Sequence, residues 1–128
     1  MKKLSLRVQL AGLLALLLTG PKVFAIDNFQ PLIGRWQRTD GGYIIEIRRI
    51  DSEGKMEAGY FNPRPINISR AQASMYKDYL KVEVELRDRG YPGSTYTLVY
   101  DSDRDTLIGY YFHAVSGQNF DVVFVRQR

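Results

Sequence analysis

Leu80-Lys-Val-Glu-Val-Glu-Leu-Arg87 alternates apolar and charged residues over eight consecutive positions. Side chains of an extended strand point to opposite faces in turn, so strict period two predicts one buried and one solvated face. The rest of the chain from Gly34 reads as the same kind of unit, short β-branched or aromatic runs divided by turn residues. Turns are expected at 39–42, 51–55, 62–65, 76–78, 89–93, 101–105 and 116–119. Gly there supplies positive φ, Pro presets φ, and Asp or Asn bonds its own backbone. Eight strands follow, at about 34–38, 43–50, 56–61, 68–75, 79–88, 94–100, 106–115 and 120–126. Every connection is short enough for a hairpin. The expected fold is all-β, an eight-stranded antiparallel up-and-down barrel whose closure leaves no open edge.

Alternation also assigns the interior. Glu46, Arg48, Glu57, Arg70, Glu83 and Asp121 mark the outside, so Trp36, Tyr43, Ile45, Ile47, Met56, Ala58, Tyr60, Ala71, Ala73 and Leu80 read as inward. Val82, Val84, Leu86, Tyr96, Leu98, Tyr100, Phe120, Val122 and Phe124 continue that face. The seventh strand is apolar on both faces. A weak repeat, Asp51-Ser through Gly59-Tyr60 against Asp101-Ser through Gly109-Tyr110, places Ile108, Tyr110 and Phe112 inside, with Tyr111 and His113 outside.

Residues 1–25 read as a secretory signal peptide. Lys2, Lys3 and Arg7 precede the apolar run Leu10–Leu18, and Val23-Phe24-Ala25 fits a cleavage site after Ala25. The apolar run is too short for a membrane span of about 20 residues. The expected organisation is a signal peptide at 1–25, a lead-in at 26–33 and a barrel domain at 34–128, with a periplasmic or secreted location. Without the first 25 residues, 14 Lys and Arg balance 14 Asp and Glu. The basic pI belongs to the leader, so no nucleic-acid partner is expected. The chain has no cysteine, which rules out disulfides and a lipidated cysteine and favours a bacterial envelope over a eukaryotic secretory route.

Gly34-Arg35-Trp36 opens the first strand, and here the chain resembles the calycins, the lipocalin and avidin superfamily. In lipocalins a Gly-x-Trp stands at this place with its indole at the closed base, and a basic residue of the last strand packs over it. The resemblance implies structural roles for Gly34 and Trp36, with Arg126 as the basic residue and Arg128 second. Such a contact would be a cation–π pair of about 0.5–2 kcal/mol. The 101–105 turn is acidic but lacks the usual Thr-Asp-Tyr of that family. Avidins line their site with several tryptophans; this chain has one, which argues against biotin.

No set of residues points to catalysis, a metal or a cofactor. His113 is the sole histidine, without a serine motif or a cysteine near it. Asp101-x-Asp103-x-Asp105 opens like a calcium loop, but Thr106 and Phe112 stand where an EF-hand needs Gly and Glu. Glu83 and Glu85 alternate with Lys81 and Arg87 and suit cross-strand charge pairing. Asn67-Ile-Ser69 is a glycosylation sequon, of use only in a eukaryotic route. A lipid-embedded barrel is rejected because the outward face of 80–87 is charged.

The two ends of the expected barrel differ. Turns 51–55, 76–78 and 101–105 are compact and charged, whereas 39–42, 62–67, 89–93 and 116–119 are richer in Gly, Pro, Asn and Tyr. The charged end is expected to offer no apolar concavity. The ligand-binding residues expected at the other end are Tyr43, Tyr60, Tyr96 and Phe112, with Arg64 and Tyr91 on the rim. Aromatic walls with a few polar groups suit a small, partly apolar or amphipathic ligand. The expected function is therefore a non-enzymatic exported barrel that binds such a ligand at its mouth. The alternative is an envelope protein-binding module, such as a protease or lysozyme inhibitor acting through loops 62–67 and 89–93.

Overall fold

The computed structural model describes residues 29–128, so the expected signal peptide at 1–25 and the expected cleavage after Ala25 lie outside the described residues. A one-turn 3₁₀ helix at Gln30–Leu32 leads into nine strands: β1 Gly34–Arg38, β2 Ile44–Ile50, β3 Met56–Phe61, β4 Pro65–Ile66, β5 Ile68–Tyr76, β6 Tyr79–Leu86, β7 Thr95–Asp101, β8 Thr106–His113 and β9 Gln118–Arg126. They form one antiparallel sheet in the order β4-β3-β2-β1-β9-β8-β7-β6-β5. Pairing of β1 with β9 joins the beginning of the barrel to its end, Trp36 opposite Arg126 and Arg38 opposite Phe124. The sheet is a nearly closed barrel, as period two and short turns predict.

The count is nine strands rather than eight. After Phe61 the chain turns back through Asn62–Arg64, where the Asn62 amide donates to the Arg64 carbonyl at 3.0 Å. Pro65 and Ile66 then pair with Phe61 and Tyr60 before the chain crosses to β5. Two residues starting with a proline are too short a run to show a period, and proline suits a sheet edge because it has no amide to donate. The crossing leaves a seam between β3 and β5. Only its base end is fastened, by the Lys55–Gln72 bridge, the Ala73 amide on the Gly54 carbonyl and Gln72 Nε2 on the Glu53 carbonyl. Gly54 has φ +86°, and a Cβ there would meet the Ala73 carbonyl oxygen at 2.0 Å. Glycine is required at that crossing.

Trp36, Ile45, Ile47, Tyr60, Ala73, Val82, Val84, Leu86, Tyr96, Leu98, Val122 and Phe124 are buried. They meet from opposite walls and fill the barrel, with Phe29 and Leu32 packed into the same core below them. Outside, the half-buried Glu83 lies 3.7 Å from both Arg70 across the strand pair and Lys81 on its own strand.

The eighth strand reverses one expectation. Leu107 and Tyr111 face the core, whereas Ile108 and Tyr110 are exposed. Phe112, opposite Thr95 and Asn119, shares the outward parity of Ile108 and Tyr110. The repeat misleads because its two hairpins differ by one residue. Five residues separate the paired Ile50 and Met56; four separate the paired Asp101 and Thr106. With a side-chain period of two, a one-residue difference turns the whole strand over. Tyr60 is 2% exposed and its repeat partner Tyr110 is 44% exposed.

The base is closed by a single guanidinium. Arg126 Cζ lies 4.3 Å from the centre of the Trp36 ring. Its Nη1 donates to the Ile33 carbonyl at 2.7 Å, Nη2 to the Pro31 carbonyl at 2.6 Å, and Nε to Asp105 Oδ2 at 2.8 Å. Trp36 Nε1 donates to the Leu32 carbonyl at 2.9 Å. Gly34 has φ +143°, and a Cβ there would meet Arg126 Nη1 at 2.6 Å, so Gly34 leaves room for the guanidinium as it crosses the strand. Arg128 reaches only Asp105, at 3.2 Å.

Candidate functional site

At the opposite end, β1, β3, β8 and β9, with the loops that carry Tyr43, Asn62 and Tyr91, deliver side chains to a recess of about 280 Å³. Its lining is Arg38, Tyr43, Tyr60, Asn62, Tyr91, Tyr111, His113 and Phe120. The alternation that buries Trp36 also turns Arg38 inward, two residues nearer the mouth. Arg38 is the one charged side chain among the described residues that is buried. Its Nε and Nη2 grip both carboxylate oxygens of Asp40, at 2.8 and 2.7 Å, and Nη1 donates to Tyr96 Oη at 2.9 Å. The guanidinium carbon sits 4.2 Å from the centre of the Tyr43 ring and 6.0 Å from that of Tyr111.

Burial opposes the charge on Arg38, but the hydrogen bonds it donates to Asp40 and Tyr96 outweigh it and hold the guanidinium's pKa above its ordinary value. The same contact holds the Asp40 carboxyl below the usual carboxylate range. Tyr60 Oη and Tyr96 Oη are 2.8 Å apart, and burial pushes both phenols up. Burial also raises Tyr111. These tyrosines are neutral hydroxyls at any physiological pH. They can donate or accept hydrogen bonds but supply no phenolate nucleophile.

Tyr43 and Tyr91 line the recess as wall residues, Tyr60 lies at its floor, and Tyr96 lies beneath it, fully buried. Two expected site residues are elsewhere. Phe112 points outward with the reversed parity of β8, and Arg64 is exposed in the 62–64 turn, outside the lining. Arg38, Asn62, Tyr111 and His113 are lining residues that the sequence reading left out. Arg38 was accessible from the parity of Trp36; Tyr111 and His113 were lost with the face of β8. Phe120, read as inward, is at the rim and 44% exposed.

His113 fastens two mouth loops. Its Nε2 lies 3.3 Å from the Gly90 carbonyl, which can only accept, so Nε2 carries the proton in the neutral ring. Nδ1 then accepts the Ser116 hydroxyl at 2.8 Å. Asp105, the last acid of the 101–105 turn, is engaged by Arg126, Arg128 and the Tyr100 hydroxyl, and Asp101 by Arg104 and the Asp103 amide. That turn is a brace for the base. Among the described residues no three His, Cys, Asp or Glu side chains converge as metal ligands, and no helix is long and apolar enough to cross a membrane.

The charged end departs from expectation. A groove of about 670 Å³ runs beside the base, over Met75, Tyr79, Leu80, Val99 and Ile108. Its polar rim is Asp78, Asp101, Asp103 and Arg104. The concavity arises because β8 turns Ile108 outward beside Val99, its partner on β7. The groove is larger than the mouth recess, but its charged groups stand in solvent. Of the two, the recess combines aromatic walls with buried, convergent polar atoms, the usual composition of a specific small-ligand site.

No family model matches the chain, and comparison with characterised proteins and with solved structures finds no match to either.

Proposed function

We propose that this chain is an exported, non-enzymatic binding protein, a calycin-type barrel that takes a small, partly apolar ligand at its open end. The observation that carries the reading is the buried Arg38–Tyr96–Tyr60 set beneath a recess walled by Tyr43, Tyr111 and Phe120. Keeping a guanidinium inside a barrel costs free energy unless its hydrogen bonds are met, and an apolar residue would fill the volume more stably. A polar set retained there is best understood as part of recognition. The Gly34, Trp36 and Arg126 arrangement at the other end supports the calycin assignment. A recess of about 280 Å³ suits one ring or a short chain, since the pockets that hold drug-sized ligands run to about 300–1,000 Å³.

Native mass spectrometry of protein isolated from its own host is the direct test. The expected result is a retained small molecule that is lost on Phe120→Ala and kept on Lys77→Ala. A second reading draws on the filled interior. With no deep cavity, the recess could receive one side chain of an envelope protein, with Arg64 and Tyr91 as rim contacts. Co-purification of such a protein, abolished by Arg64→Ala and unaffected by Tyr60→Phe, would favour that reading.

A further inference from the structure

The paired hydroxyls of Tyr60, at the recess floor, and Tyr96, beneath it, carry two protons, and the described residues accept only one of them. Tyr96 Oη receives Arg38 Nη1–H at 2.9 Å and shares one hydrogen bond with Tyr60 Oη at 2.8 Å. Whichever phenol donates in that pair, the other keeps an O–H for which no described residue supplies an acceptor. Tyr96 is fully buried and does not reach the recess; Tyr60 is 2% exposed and lines it. The arrangement that leaves no buried donor pointing into apolar core runs Arg38 to Tyr96 to Tyr60, with the last proton aimed into the recess. Two of the five Arg38 N–H groups likewise have no acceptor among the described residues.

The one charged side chain of the lining that is buried is already paired. Arg38 is neutralised by the two-point grip of Asp40, and the other lining side chains are aromatic, an amide, or the His113 imidazole, whose two nitrogens are engaged by Ser116 and the Gly90 carbonyl. A ligand carboxylate would shed its water beside a cation already paired and beside the Asp40 carboxylate, which is unfavourable. A ligand cation would meet donors where it needs acceptors. We infer that the recess recognises a neutral ring-sized ligand bearing a hydrogen-bond acceptor, a carbonyl or amide, that takes the free Tyr60 proton while the ring packs on Tyr111 and Phe120. This rests on the proposed function and narrows its ligand class.

Four matched probes test it on the protein from Ile26 to Arg128: benzamide, toluene, benzoate and benzylammonium. Binding is read by two-dimensional NMR titration, which also locates each probe. Benzamide should bind about fivefold tighter than toluene, the size of one net hydrogen bond, and tighter than either ion. Its shifts should centre on Arg38, Tyr60 and Tyr111. Tyr60→Phe keeps the ring and removes the proton, so it should erase the benzamide preference and leave toluene binding intact, which also reports that the variant is folded. Toluene or benzoate binding best in the unaltered protein would overturn the inference without touching the mouth as a binding site. So would a benzamide preference that survives Tyr60→Phe. Failure of every probe to perturb the mouth, or shifts confined to Met75, Tyr79 and Val99, would overturn the inference and the proposed function together.

Discussion

Trp36 shows how much a single side chain carries at the base. It is fully buried, its indole N–H is held by the Leu32 carbonyl, its edge meets Tyr100 at 6.1 Å and its face is covered by Arg126. Trp36→Ala should cost about 3–5 kcal/mol, as large aromatic truncations in cores do; urea unfolding of variant and parent measures it. Asp105 links the same base to pH. Hydrogen bonds from Arg126, opposed by partial burial and aided by Tyr100, lower its carboxyl from the usual 3.8 to about 2. A depressed folded-state value means that the stabilisation is fully present above about pH 4 and is lost as pH falls toward 2. The loss should be about 1–2 kcal/mol, because the pair is part-exposed and screened. Asp105→Asn should be less stable at pH 7 and show a flatter acid limb. Asparagine also tolerates the φ of +53° at this position, so the backbone is not the cause of any change. An unaltered acid limb would show that Asp105 does not carry this linkage.

Strands differ in how their faces are chosen. β6 needs no neighbour to choose, because Lys81, Glu83 and Glu85 would have to be buried in the other orientation. β8, Thr106-Leu-Ile-Gly-Tyr-Tyr-Phe-His113, has apolar residues of both parities, and its face is set by the four-residue turn before it and by close approach to β7. Gly109 is where that approach is closest. A Cβ there would come within 2.0 Å of the Thr97 carbonyl oxygen and 2.9 Å of Leu98 Cα. Gly109→Ala should destabilise by about 1–3 kcal/mol through forced displacement of β7, whereas Gly42→Ala, with nothing within 4 Å, should change little. Thermal unfolding of the two variants side by side checks the contrast. Equal melting temperatures would mean that β7 can give way without cost.

At the scale of the whole molecule, the barrel has one strong closure and one weak one. β1 and β9 pair across three positions and are tied further by the Thr39 amide on the Val123 carbonyl and the Gln127 amide on the Arg35 carbonyl. The β3–β5 seam has one bridge and the Gly54–Ala73 contact, both at the base. Local opening should therefore begin at the seam, where fewest backbone hydrogen bonds must break. Amide hydrogen exchange should show the outer edge of β5 losing protection before the amides of β1 and β9. Simultaneous loss in all of them would mean that the seam opens only with global unfolding.

Period two in 80–87 and the Gly, Pro, Asp and Asn of the turns determined by themselves that this is an antiparallel barrel, because side-chain alternation and turn chemistry are local. Parity from Trp36 carried the inward list along most strands and would have carried it to Arg38. The added strand β4, the outward turn of Phe112 and Ile108, and the inward turn of Tyr111 and His113 were not legible, since each depends on a pairing partner rather than on the strand's own residues. Whether the barrel would be hollow was also beyond any local window: it depends on the summed volumes of Trp36, Tyr60, Tyr96 and Phe124 meeting from opposite walls. Only the tertiary structure decided that they fill it, leaving a shallow recess with a spare phenolic proton on its floor in place of a deep calyx.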